Sequence, residues 1–475
     1  MIDSKSKLIK WAIVLFFVFF FGFIPPFGAM TEVGMRVLGI FIGAVFGWTT
    51  LGILEVTFIA MIGYGITVGF NTFVASSFGT AMIAMMLIFF PLCGMLNKYG
   101  VLEVLAQKFV SNKFCEGHPW RICFMIMLAT YVCAPINALV IAILMVAFVR
   151  NVCIVAKIQM PSKWSVAMLI GVALAIMTGQ LMIPVFGTPL VLVAALGAIT
   201  GIQVNMVKYM LLLIPVGIVL LFVYVFAMRF VLKVDVTPLK NLTMEALGGK
   251  QSFNSDQIKA LVITLLTLFA LICNSVVPQG TALYTVLSGT LGIFGISLIA
   301  LGVLLFMKNS KGEPLFVFTE CAHKGMAWEP FYLAAFIVPF ATYMTGGETG
   351  IPQTITSVMG PVMGLPPIVF LVIMFFLVTI ITNFAQNTVV IIMFLPLFLA
   401  YATATGFHME GFYILLFMVA QLAISTPGSS TPCGIVYSTT DMVDVGMVMK
   451  MALKVLPLLF IALMVVGIPL TFLLW

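Results

Sequence analysis

The chain has 475 residues, of which 63% are hydrophobic and 8% are charged, whereas roughly 25% of the residues in a soluble domain are charged. With a mean hydropathy of +1.24, it has too few polar side chains to cover a soluble fold, so nucleases, kinases and soluble dehydrogenases are excluded. The net charge of +7 comes from basic residues beside apolar runs, which indicates membrane topology and no nucleic-acid partner. We therefore predict an all-α protein that crosses the lipid bilayer many times.

Apolar runs of the roughly 20 residues needed to span a bilayer recur along the chain. They predict about 11 transmembrane helices, at 9–29, 33–52, 53–71, 76–97, 164–200, 207–232, 257–275, 283–307, 328–346, 411–440 and 453–475. Two more runs, at 121–150 and 366–405, contain polar residues in the middle and are too long for one helix. We predict that each forms a re-entrant hairpin. Pro and Gly residues inside 164–200 and 411–440 predict that these two helices are broken.

The distribution of Lys and Arg predicts how the chain lies in the membrane. No Lys or Arg occurs between Gly325 and Met449. Arg121 and Arg150 flank the first hairpin, whereas the second hairpin has no basic flank. Because cytoplasmic loops carry the excess of positive charge, we expect a plasma-membrane protein with a cytoplasmic N-terminus and hairpins that enter from opposite sides. Such an arrangement is typical of inverted repeats.

Equal spacings in the two halves support a repeat. Asn137 follows Gly100 by 37 residues, and Asn387 follows Gly350 by 37 residues. A Thr-Pro pair comes after the Asn in each half. The same landmarks in the same order indicate two copies of one structural unit.

The repeat predicts an organisation in five parts. These are scaffold helices of the first repeat at 1–97, its transport part at 98–232, a cytoplasmic linker at 233–256, scaffold helices of the second repeat at 257–327, and its transport part with the last helix at 328–475. The transport parts hold the hairpins and the broken helices.

The interrupted segments carry polar groups that hydrocarbon does not tolerate. The tips at 134–138 and 382–388 contain amides or hydroxyls, and an unpaired polar group in lipid costs several kcal/mol. Such groups persist where they line an aqueous cavity. A helix that begins at each tip points its free N–H groups into that cavity, which favours an anion. The breaks at 184–189 and 427–432 expose carbonyls that can bind a cation.

A single Pro or Asn in a membrane helix is often only a kink or an interhelical hydrogen bond. Four interrupted segments in two matching pairs favour a binding site. We expect no Lys or Arg in its cavity, so that an anion would need helix ends, amides and a co-bound cation, which is how symport coupling arises. The predicted substrate ligands are Asn137, Asn387, Thr388, Thr188, Pro189, Thr431 and Pro432.

Several short segments resemble those of the divalent anion/sodium symporter family, within the ion transporter superfamily. They are Phe46–Thr50, Met326–Trp328, Thr382–Thr388, Gly187–Pro189 and Ser430–Pro432. The resemblance covers most of the chain. It implies a homodimer in which a mobile domain slides across the membrane as an elevator past a fixed scaffold. It also implies that the substrate is a dicarboxylate, citrate or sulfate, moved with Na⁺ or by exchange.

The resemblance further implies where Na⁺ binds. The family's second sodium site maps onto Thr382, Ala385, Asn387 and Ser430. Of its first site only Asn137 and Gly187 remain, because the family's Ser-Asn-Thr motif is replaced by Ile136-Asn137-Ala138 and the position five before Asn137 is Val132. We therefore expect one sodium site rather than two.

We interpret the chain as a secondary active transporter of a small anion (di- or tricarboxylate, or sulfate-like), coupled to Na⁺ and working as an elevator, and not as an enzyme. An alternative of the same class is a Na⁺-independent anion exchanger, or a carrier of a different small solute. A channel is a further alternative. An intramembrane hydrolase has no support, since the sequence lacks G-x-S-x-G and H-E-x-x-H motifs.

Overall fold

The computed structural model describes residues 4–110, 113–185, 187–242, 252–278, 280–358 and 360–475. Within these ranges the chain is helical and contains no β-strand, which confirms the predicted all-α class. Of the linker predicted at 233–256, residues 243–251 lie outside the described ranges.

The first half contains α1 to α11 and the second half α12 to α23. Helices α1 to α6 are Ser4–Leu15, Glu32–Thr50, Ile53–Val68, Phe70–Ser77, Ala81–Lys98 and Val101–Val110. Helices α7 to α11 are Pro119–Cys133, Ala138–Val155, Lys163–Gly179, Gly187–Thr200 and Met206–Phe230. Helices α12 to α18 are Ser255–Val276, Ala282–Tyr284, Gly292–Phe306, Phe318–Gly325, Trp328–Met344, Ile351–Val358 and Gly360–Met363. Helices α19 to α23 are Pro367–Thr382, Asn387–Thr405, Glu410–Ala420, Thr431–Tyr437 and Val445–Leu474.

Polar side chains fix where many of these helices begin. The Ser162 hydroxyl accepts a hydrogen bond from the Ser165 backbone N–H, and the Ser165 hydroxyl accepts one from the Ser162 N–H, which makes a capping box at the start of α9. Asn254 and Gln257 form the same arrangement at the start of α12. Such caps pair N–H groups that have no partner inside the helix.

The predicted number of spans was about 11. Eight of the described helices are long and apolar enough to cross a membrane, and the number rises to ten if two bent pairs each count as one span. Helices α7, α9, α10, α19 and α21 are apolar but shorter, at 10–17 residues. They are short because the hairpins and the broken helices divide their runs into half-length pieces.

The two halves pack in matching ways. In the first half α8 and α11 both pack on α9, and in the second half α20 and α23 both pack on α21. Helix α10 packs on α20 of the other half, and α22 packs on α8. This exchange of partners brings both hairpins and both broken helices into one group of contacts.

Buried apolar side chains form two separate clusters. The first cluster is built mainly from residues of 14–101 and 260–351, and the second mainly from residues of 102–242 and 370–468. A few side chains cross this division, among them Leu190 of α10 and Val389 of α20, which pack into the first cluster. Helices α10 and α20 therefore lie at the boundary between the two clusters.

Candidate functional site

The tip of the first hairpin is the four-residue turn between α7 and α8. Pro135 in this turn has no backbone N–H with which to continue α7, and Asn137 has an extended backbone. The Asn137 Oδ1 accepts hydrogen bonds from the backbone N–H groups of Leu139 and Val140, each at 3.1 Å. Asn137 is thus the N-cap of α8.

The tip of the second hairpin is the turn between α19 and α20. The Thr388 backbone N–H donates to Gln386 Oε1 at 3.0 Å and to Asn387 Oδ1 at 2.9 Å. Asn387 and Thr388 are buried. Asn387 Nδ2 donates to Gln421 Oε1 at 2.6 Å, so this amide is held in one orientation at the first turn of α20.

The two broken helices open at matching places. Helix α9 ends at Gly179 and α10 begins at Gly187, whose φ of +42° is readily adopted only by glycine. Helix α21 ends at Ala420, and α22 begins after Ser430, whose hydroxyl accepts from the Cys433 N–H at 3.2 Å. Each break therefore places the start of a new helix in the interior.

These four elements enclose one cavity of about 380 Å³. All seven predicted substrate ligands line it, and so do Gly187 and Ser430. The first turns of α8, α10, α20 and α22 all contribute lining residues. Four helix N-termini therefore lie at this cavity, and each contributes a partial positive charge. The helix ends can bind an anion through these partial charges, without a charged side chain from the hairpins.

Asn383 joins the second hairpin to the break in the neighbouring helix. Its Nδ2 donates to the carbonyls of Thr379 and Leu422, at 2.7 and 3.0 Å. Its Oδ1 accepts from the N–H groups of Ile424 and Ser425, at 3.1 and 2.9 Å. All of its hydrogen-bonding capacity is used within the protein, so Asn383 has a structural role.

The predicted Na⁺ ligands are only partly brought together. Asn387 and Ser430 line the cavity, whereas Thr382 and Ala385 do not. Thr382 is fully buried, and its hydroxyl donates to the Ala420 carbonyl at 2.8 Å. In the adjacent break the buried hydroxyl of Ser425 has no hydrogen-bond partner. Neutral oxygens of this kind are ligands that a hard cation such as Na⁺ accepts.

The first hairpin offers fewer oxygens. The positions of Thr382 and Asn383 correspond to Val132 and Cys133 in the other half, counted back from each hairpin Asn. The Oδ1 of Asn137 is already used as a helix cap. Among the described residues no group of three or more His, Cys, Asp or Glu side chains could hold a metal.

A pair of glutamines was missed by the sequence analysis. Gln180 follows α9 and Gln421 follows α21, at equivalent places in the two halves. Gln180 Nε2 donates to Gln421 Oε1 at 3.2 Å, the same oxygen that accepts from Asn387. Gln180 also lines the cavity. The sequence signal was a Gln inside each broken run, just before the Pro and Gly residues.

The expectation that the cavity has no Lys or Arg is wrong. Among the described lining residues Lys324 is positively charged and Glu329 negatively charged. Lys324 lies at the end of α15 and Glu329 at the start of α16, and α15 packs along α5. Lys324 immediately precedes the segment without Lys or Arg from which the topology was predicted. Its position beside the cavity depends on the packing of α15 against α5.

The comparisons with known proteins agree with this geometry. The sequence profile of the citrate transporter family (CitMHS) matches residues 41–420. The chain belongs to this family. It is also 24% identical, over 288 residues, to the sodium-dependent dicarboxylate transporter SdcS of Staphylococcus saprophyticus. That match covers 58% of this chain and 54% of SdcS, so the chain spans about half the length of that relative. These matches confirm the predicted resemblance to divalent anion/sodium symporters.

Two solved structures have a similar fold. The YdaH transporter of Alcanivorax borkumensis superimposes with a TM-score of 0.54 at 16% identity, over 86% of this chain and 89% of that one. MtrF of Neisseria gonorrhoeae, described as one of a class of antimetabolite efflux pumps, gives a TM-score of 0.56 at 12% identity, over 97% of this chain and 94% of that one. At these identities the likeness shows the fold alone. The citrate transporter family member described here is a multi-pass membrane protein with a transporter fold.

Proposed function

We propose that this protein is a secondary active symporter that moves a di- or tricarboxylate together with Na⁺. The observation that carries the proposal is the convergence of four helix N-termini and the Asn137 and Asn387 amides on one cavity. Its volume of about 380 Å³ lies within the roughly 300–1,000 Å³ of small-molecule sites. Membership of the citrate transporter family and the match to a dicarboxylate transporter support carboxylates as the substrate class.

Sodium coupling follows from the charge of the site. The hairpins and broken helices supply only partial positive charges, and the lining contains one Lys and one Glu among the described residues. A carboxylate with two or three charges is therefore under-neutralised until a cation binds nearby. The oxygens of Thr382, Asn387, Ser430 and the free Ser425 hydroxyl provide one such place. A cation bound there strengthens anion binding, and the anion strengthens cation binding in return.

The movement that we propose is an elevator. The helices of the first hydrophobic cluster would form the fixed scaffold, and those of the second would move as one body with the cavity. We place α16 with the scaffold, since its buried apolar side chains other than Ala341 belong to the first cluster. The matching contacts of the two halves support inverted repeats. In such a protein the outward-facing and inward-facing states differ because the two repeats exchange their conformations. A homodimer with the scaffolds at its centre belongs to the same proposal.

The direct test is uptake into proteoliposomes of purified protein. We expect radiolabelled citrate or succinate to accumulate when Na⁺ is present outside, and not when it is replaced by K⁺ or choline. Saturating substrate with Na⁺ should also stabilise the purified protein, by about 2.7 kcal/mol at a hundred times Kd. Absence of uptake of every di- and tricarboxylate would contradict the proposal.

One observation favours Na⁺-independent exchange as a second candidate function. The first hairpin lacks the hydroxyl ligands of a sodium site, since Val132 and Ala138 stand where oxygens are needed. Uptake that needs internal substrate and is equally fast without Na⁺ would establish exchange and remove symport.

A further inference from the structure

Lys324 is the one positively charged residue among the described residues that line the cavity. We infer that its ammonium group is a docking charge for the carboxylate, and that it acts only when the cavity faces the side of the membrane on which α15 lies. The inference rests on the proposed function and adds to it a residue that determines affinity from one side.

The position of Lys324 is fixed by the packing of α15. A Cβ on Gly94 of α5 would overlap the carbonyl oxygen of Cys321, and a Cβ on Gly325 would overlap that of Phe90. The backbones of α5 and α15 therefore touch where only glycine fits. Lys324 is the residue before Gly325, so the backbone contact between α5 and α15 also fixes the position of the Lys324 Cα.

The charge of Lys324 is only partly neutralised. Lys98 Nζ lies 2.8 Å from Glu320 Oε2, whereas Lys324 Nζ lies 3.8 Å from Glu320 Oε1. The hydrogen bond from Lys98 lowers the pKa of the Glu320 carboxyl, so this carboxylate already has a close partner. The Lys324 side chain is 46% exposed, against 18% for Lys98. An incoming carboxylate can thus bind Lys324 without breaking the Lys98–Glu320 pair.

The helix of the first half that corresponds to α15 carries no such charge. Helix α15 precedes α16 as α4 precedes α5, and both α4 and α15 have eight residues and begin with Phe. The seventh residue is Lys324 in α15 and Ser76 in α4, and α4 contains no charged residue. If the halves exchange arrangements, α4 takes the place of α15 and presents Ser76. Ser76 is exposed, and its hydroxyl donates only to carbonyls of its own helix.

The test is transport measured from each face, with right-side-out and inside-out vesicles and labelled citrate or succinate. We expect Lys324→Gln to raise KM roughly three- to fivefold on the α15 face, as for loss of a partly exposed charge pair, and to leave KM on the other face unchanged. Lys324→Arg should restore the wild-type KM. Lys311→Gln is the matched control, because Lys311 is exposed in the preceding loop and does not line the cavity.

Ser76→Lys is an independent test, which remains informative even if the Lys324 variants fail to fold. It should lower KM on the face opposite α15, because it places the charge at the other mouth. Equal KM changes on both faces for Lys324→Gln, or no change with Ser76→Lys, would overturn the inference while the proposed function stands. Failure of the wild-type protein to transport any carboxylate from either face would overturn both.

Discussion

Asn387 Nδ2 lies 2.6 Å from Gln421 Oε1, in a buried hydrogen bond at the wall of the cavity. Because the same oxygen also accepts from Gln180, Gln421 connects the second hairpin tip to the end of α9 in the first half. The Nε2 of Gln421 is buried without a partner. The protein thus keeps a buried donor unpaired, which is unfavourable, in a position that orients an amide of the binding site.

Gln421→Leu should weaken substrate binding by misorienting Asn387. It takes the acceptor from the buried Asn387 Nδ2, at a cost of about 1–3 kcal/mol, and from Gln180 Nε2, which is only partly buried, so the unfolding temperature should fall as well. Gln421→Glu keeps an acceptor for both donors but adds a negative charge below the anion. We expect it to fold nearly as well as the wild type and to raise KM for citrate. Uptake kinetics and thermal unfolding measure both effects. Wild-type KM in both variants would show that Gln421 has no part in positioning Asn387.

Asn383→Ala should be among the most destabilising substitutions in the transport part. It removes four hydrogen bonds, three of which join the hairpin to the neighbouring break, so we expect a loss of about 2–4 kcal/mol from unpaired buried groups. Cys133→Ala is the matched control, since Cys133 is buried four residues before the other hairpin Asn. Thermal unfolding in detergent compares them, and equal losses would contradict the structural role assigned to Asn383.

Thr382→Val should reduce the apparent affinity for Na⁺ and spare the maximal rate at saturating Na⁺. The change removes a hydroxyl of the proposed cation site with almost no change of shape. Thr379→Val is the control on the same helix, because the buried Thr379 hydroxyl donates only within α19, to Phe375. The measurement is uptake against Na⁺ concentration. Identical Na⁺ curves for both variants and the wild type would place the cation elsewhere.

Gly94→Ala should disrupt the contact between α5 and α15. Its Cβ would overlap the backbone of Cys321, which neither helix can avoid without moving. We expect lower thermal stability and, since Lys324 moves with α15, a higher KM for the carboxylate. Gly302→Ala in α14 is the control: no atom lies within 4 Å of the added Cβ, and a helical Gly→Ala change is favourable by about 0.5–1 kcal/mol. Comparable stability of the two variants would show that the α5–α15 contact tolerates a side chain.

The hairpins, the breaks and the residues around the cavity could be predicted from the sequence. Polar residues and Pro inside a long apolar run are compatible with few structures in a membrane. Asn137 and Asn387 could be found in this way. Asn383 lies in the same predicted tip, but its structural role depends on Leu422, Ile424 and Ser425, which are far away in sequence.

Gln180 and Gln421 could not be paired from the sequence. Each is a single polar residue near the end of an apolar run, and only the packing of α9 against α22 and α23 brings their amides together. Lys324 was placed outside the cavity because charge patterning reports topology and not proximity. Its position depends on the close backbone contact at Gly94.

Asn137 and Asn205 offer the most direct test of the central claim that the hairpin tips bind the anion. Both cap a helix in the same way, since Asn205 Oδ1 accepts from the N–H groups of Val207 and Lys208 at 3.0 and 3.1 Å. Only Asn137 lines the cavity between the hairpins. Replacing either with Ala should therefore cost a similar amount of stability, about 1 kcal/mol.

The measurement is carboxylate uptake by Asn137→Ala, Asn387→Ala and Asn205→Ala at equal amounts of folded protein. We predict that the two hairpin variants lose transport and that Asn205→Ala retains it. Normal uptake by both hairpin variants would contradict the proposed site.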